Sequence, residues 1–89
     1  MIQFTQYLRP DGRKTQVTTD PKDPEIQRMA DEVIDAGGRF EIEILLNGMV
    51  SMTVAHDEED IAIEICVNGP EIHKALHALV RNAHKEIGR

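Results

Sequence analysis

Apolar and polar residues alternate along the stretch from Arg39 to Val67. Phe40, Ile42 and Ile44, then Val50, Met52 and Val54, then Ile61, Ile63, Ile65 and Val67 occupy every second position, the period of a strand buried on one face. Glu41, Glu43, Ser51, Thr53 and Glu64 stand between them. The pattern predicts an antiparallel three-stranded meander with one face for a core and the other for water.

Two registers compete in its first hairpin. A two-residue turn at Asn47-Gly48 sets Ile44 against Ser51 and Ile42 against Thr53, apolar against polar. A three-residue loop, Leu46-Asn47-Gly48, with Gly48 left-handed as in a G1 bulge, sets Leu45 against Met49, Ile44 against Val50, Ile42 against Met52 and Phe40 against Val54. The second register puts the large apolar residues on one face, and it is the one expected.

Ahead of the meander, Ile2, Phe4 and Leu8 share one side of a short strand, and Arg9-Pro10-Asp11-Gly12 has the composition of a type I turn. Lys14 to Thr19 suits a returning strand, although Val17 is its only large apolar residue. Asp23 followed by Pro24 marks a helix start. Ile26, Met29, Ala30, Val33 and Ile34 then recur at helical spacing until Gly37-Gly38 stops them. Beyond the meander, Asn68-Gly69-Pro70 repeats the cap-then-proline signal and opens a second helix to about Ile87, with Gly88 after it. Its stripe is Ile72, Leu76, Leu79, Ala83 and Ile87. The expected architecture is α+β: an antiparallel sheet of 4–5 strands with two helices on one face, in the order β-(β)-α-β-β-β-α.

The chain of 89 residues is expected to form a single compact domain with one modest core. With no tryptophan and only Phe4, Tyr7 and Phe40 as aromatics, that core is built of Ile, Leu, Val and Met. A formal charge of −6 argues against a general nucleic-acid binder. The charge is uneven: +2 over residues 1–19, −10 from Asp20 to Val67 and +2 over 68–89, which suits opposed faces for two partners or a second copy. Cys66 is a lone thiol, with no cysteine pair for zinc or redox chemistry. No stretch reaches the length of a membrane span and the start is unlike a signal peptide, so the expectation is a cytoplasmic protein.

Several residue clusters invite a chemical reading. His73, His77 and His84 fall within about 40° of one another on the second helix, and two histidines at i and i+4 can share zinc; no carboxylate or thiolate stands nearby in sequence to complete a site. Asp57-Glu58-Glu59-Asp60 lacks the spacing and glycine of a calcium loop and reads as a solvated connection. No motif links Cys66 to a base, so no catalytic residue and no cofactor are nominated. The outward sheet face is the favoured surface. It carries Glu41, Glu43 and Glu64 together with Leu45, Met49, Thr53, Ala55, Ala62 and Cys66. Of these, Glu41, Glu43, Leu45, Met49, Thr53, Glu64 and Cys66 are the candidate contacts for a protein partner or a homodimer.

Two resemblances accompany this reading. The α-β-β-β-α order resembles double-stranded-RNA-binding domains, which implies a nucleic-acid accessory role; the second helix opens Pro70-Glu71-Ile72-His73-Lys74, without a basic cluster, leaving Arg9, Arg13 and Lys14 as the basic turn. The segments FTQYLRPDGRK (4–14), GGRFEIE (37–43) and IEICVNGP (63–70) resemble small uncharacterised proteins carried by bacteriophages and prophages. That resemblance implies a phage or bacterial setting and no catalytic residue. The expected function is a small acidic, non-enzymatic protein-binding domain, with nucleic-acid association or a histidine metal site as alternatives.

Overall fold

The computed structural model describes residues 1–8, 12–45, 47–56, 58 and 61–87, with the backbone alone at Leu8, Ile61 and Ala62. The elements are β1 (Ile2–Leu8), β2 (Arg13–Thr19), α1 (Pro24–Asp35), β3 (Arg39–Ile44), β4 (Met49–His56), β5 (Ile61–Asn68), a 3-10 turn (Gly69–Glu71) and α2 (Ile72–Glu86). They form an α+β domain with one five-stranded sheet in the order β2-β1-β3-β4-β5.

The sheet is mixed, which corrects the antiparallel expectation. β1 pairs antiparallel with β2 but parallel with β3, through Thr5↔Glu41, Gln6↔Ile42 and Tyr7↔Glu43. After the β1–β2 hairpin, α1 carries the chain across β1, so β3 enters on its far side running the same way. The element order differs as well: the optional strand is a full one that begins at Arg13, and a 3-10 turn precedes α2.

The meander takes the expected register, with Phe40↔Val54, Ile42↔Met52 and Ile44↔Val50. Gly48 is left-handed at φ 83°, and the hairpin closes through Leu45 N–H to the Met49 carbonyl at 2.8 Å. Leu46 lies outside the described residues, as do Arg9, Pro10 and Asp11 of the first turn, Asp57, Glu59 and Asp60 of the acidic run, and Gly88.

Both ends of α1 are fixed by local chemistry. The Asp23 carboxylate accepts from the Glu25 and Ile26 amides, and Pro24 follows. At the other end Gly37 is left-handed, its N–H donates to Ile34 and that of Gly38 donates to Val33, both at 2.9 Å, the bonding of a Schellman motif. Asn68 makes no side-chain cap bond, contrary to the expected repeat of that signal. A 3-10 turn, Gly69–Glu71, opens the segment instead, and the α-helical ladder is taken up from Ile72.

The core joins Ile2 and Phe4 of β1, Phe40, Val50, Met52 and Val54 of the meander, Ile26, Ala30 and Val33 of α1, and Ala75, Leu76, Leu79, Val80 and Ala83 of α2. The Phe4 and Phe40 rings meet at 5.4 Å. α1 packs on β1 and α2 on β4 and β5, so both helices lie on one face. Ile34 and Ile44, expected on buried stripes, are 43% and 56% exposed. Each sits at the end of its element, past the reach of the packing partner.

Candidate partner-binding face

Strand parity and register assemble the outward face row by row. One row runs Gln16, Thr5, Glu41, Thr53, Glu64 from β2 to β5; the next runs Lys14, Tyr7, Glu43, Ser51, Cys66. Met49 continues the pattern opposite Asn68, next to Leu45. All seven candidate contacts, Glu41, Glu43, Leu45, Met49, Thr53, Glu64 and Cys66, therefore share the face that the helices leave uncovered.

Its side chains bond to one another across the strands. The Tyr7 hydroxyl donates to Glu41 Oε2, and Lys14 Nζ lies 5.4 Å from the Tyr7 ring centroid, within cation–π range. The Ser51 hydroxyl donates to Glu64 Oε2 at 3.0 Å. On the β2 side Gln16 donates to Thr5 Oγ1 at 3.2 Å and accepts from Gln3 at 3.0 Å. The Tyr7 phenol is held above its ordinary pKa of 10.0, first by the bond to Glu41, then by burial and by the Glu41 charge; Arg39 opposes the shift.

The face is more polar than expected. Leu45 and Met49 are half-buried, as are Thr53 and Ala55, and the large exposed apolar residues among those described (Met1, Ile34 and Ile44) are not on it. Ser51, expected toward water, is buried because Glu64 lies over it. Glu64 and Cys66 are exposed, and Cys66 is a free thiol. The charged groups of the surface are thus Glu41, Glu43 and Glu64 on β3 and β5, with Lys14 on β2 and Arg39 on β3 as cations among them.

The histidines of α2 do not converge. His73 is exposed, His77 Nε2 lies 3.0 Å from the Pro21 carbonyl, and His84 Nε2 lies 3.5 Å from Glu32 Oε1 on α1. Among the described residues no group of three or more His, Cys, Asp or Glu is placed to hold a metal ion. The structure brings forward a fourth histidine that the sequence reading passed over. His56 ends β4 on the core side, 6% exposed, and its Nε2 donates to the Ala36 carbonyl at 2.7 Å. Its parity with Val50, Met52 and Val54 was the signal that places it inward.

The α1 carboxylates are engaged differently from those of the face. Arg28 donates to both Glu25 and Glu32, and this holds the Glu25 carboxyl below the usual range. Gln27 donates to Asp31 at 3.0 Å, and Asp23 caps the helix. Among the described residues no helix is long and apolar enough to cross a membrane. Comparisons with protein-family models, with curated proteins and with solved structures find no match.

Proposed function

We propose that this chain is a small acidic, non-enzymatic protein-binding domain that docks a basic partner protein on the open face of its sheet. The observation that carries this reading is how the carboxylates of the face are held. Glu41 and Glu64 accept from the neutral hydroxyls of Tyr7 and Ser51, which orient them without neutralising them. A carboxylate has about four acceptor sites, so one such bond leaves each able to meet an incoming cation. On α1, by contrast, Glu25 and Glu32 share the Arg28 guanidinium, which offsets half of their charge. Charge complementarity of this kind governs the choice of partner and the encounter rate. The exposed Cys66 thiol fits a reducing compartment such as the cytoplasm, and the phage-type resemblance supplies a setting in which small adaptor domains meet host proteins.

Selection from a random-peptide library tests the reading. The wild type is expected to enrich lysine- and arginine-rich sequences that bind the Glu43→Lys variant about tenfold more weakly or worse, a loss of roughly 1.4 kcal/mol. Enrichment of acidic or neutral sequences, or equal binding to the variant, would overturn it. Light scattering after size exclusion, on the wild type and on Met49→Arg, decides the other occupant. A wild-type dimer that the substitution makes monomeric would give the face to a second copy instead of a basic partner.

A further inference from the structure

The two edges of the sheet are unequal. β2 begins Arg13-Lys14, and its side chains are exposed except for the half-buried Val17 and Thr19; cations on an edge strand discourage further pairing. β5 contains no lysine, arginine or proline across its eight residues. Its helix-side residues Ile63, Ile65 and Val67 are half-buried against the core, while Glu64, Cys66 and Asn68 face out and are exposed. β4 fills one side of its ladder, and among the described residues no strand fills the other.

The helix above β5 leaves room at that margin. His77 and His84 turn toward α1, meeting the Pro21 carbonyl and Glu32. At about 100° per residue the opposite flank of α2 carries Ala75, Asn82 and Glu86. Ala75 is buried and Asn82 and Glu86 are exposed, so the flank over the open edge is small at its first turn and ends on a carboxylate that favours a basic segment. A strand laid beside β5 would tuck its helix-side residues beneath this flank and complete the burial of Ile63, Ile65 and Val67.

We infer that the partner contributes an extended segment that joins the sheet as a further strand along β5, with aliphatic residues at alternate positions and lysine or arginine between them. The inference rests on the proposed docking of a basic partner and specifies what docks. Alternation follows from strand geometry, which sends successive side chains to opposite faces. Aliphatic residues answer Ile63 and Ile65; basic residues fall opposite or diagonal to Glu64, within reach for long side chains. Main-chain bonds supply affinity, and the alternating side chains supply choice.

The probe is a blocked peptide of alternating valine and lysine, about as long as β5. Its controls are a valine–glutamate alternation and a blockwise shuffle of the same valines and lysines. With the isotope-labelled full chain, the alternating basic peptide is expected to bind, shift the amides of residues 63–68 and slow their hydrogen exchange. N-methylation of every second peptide amide should weaken binding at least about tenfold in one phase and little in the other. Glu64→Lys should weaken it several-fold, with circular dichroism confirming the fold. Equal sensitivity to both phases, or shifts confined to Glu41 and Glu43, would overturn strand addition while leaving docking on the open face intact. Failure of the peptide to bind at millimolar concentration also overturns it, whereas the library selection tests the broader reading separately. If the protein alone forms long oligomers that Lys14→Glu dissolves, the added strand is β2 of another copy, and the partner assignment falls.

Discussion

Tyr7 shows at the residue scale how the open face is tuned. Its hydroxyl donates to Glu41 only because β1 lies parallel beside β3, which brings residues 34 apart into one hydrogen bond. A phenol that donates to a carboxylate is easier to keep than to ionise, so its pKa rises above 10.0. The linkage has a definite sign: the neutral phenol contributes its stability in full below the unfolded value near 10.0, and the contribution is lost as pH rises through the higher folded value. Tyr7 is the only tyrosine and there is no tryptophan, so phenolate absorbance reads this one group. Glu41→Gln is expected to move the midpoint back toward the ordinary value. A wild-type midpoint at or below that of the variant would refute the bond. None of this was legible in the sequence, because parity places Tyr7 on the outward side of β1 but does not say which strand lies next to it.

At the scale of elements, two glycines separate backbone cost from crowding. Gly48 is left-handed, and a Cβ there meets nothing within 4 Å, so Gly48→Ala is expected to cost only the strain of that conformation, about 1 kcal/mol. Gly38 carries no positive φ, but its Cβ would sit 2.6 Å from Val33 Cγ1 and 3.0 Å from the Val33 carbonyl. That carbonyl already accepts the Gly38 N–H that ends α1, so it cannot withdraw. Overpacking predicts about 2 kcal/mol for Gly38→Ala. Urea midpoints of the two variants compare them, and a Gly38→Ala no worse than Gly48→Ala would mean that the α1 terminus yields easily. The meander, its register, the Asp23 cap and the α1 stop were legible because each is written within a few residues of itself. The outward placement of the seven candidate residues was legible for the same reason, as alternate positions along β3, β4 and β5. How far the helices reach was not, since periodicity assigns Ile34 and Ile44 to a face without saying where its cover ends.

Across the whole molecule the contacts divide into a local set and a distant one. β3, β4, β5 and α2 follow one another and pair or pack in sequence. β1 reaches its place only when Thr5 meets Glu41 and Tyr7 meets Glu43, across β2 and α1. Closing that long loop costs chain entropy before the parallel pairing returns any stability. The folding nucleus is therefore expected in the meander with α2, and the docking of β1 and β2 to follow the main barrier. Val54 and Ile2 are both fully buried, one on each side of this division. Val54→Ala is expected to cost about 2 kcal/mol, and Ile2→Val about 1 kcal/mol. The first should appear mainly as slower folding and the second mainly as faster unfolding, both read from the two arms of a denaturant chevron. If Ile2→Val slows folding in proportion to its loss of stability, β1 is already paired with β3 at the barrier, and the parallel contact, not the meander, organises the fold.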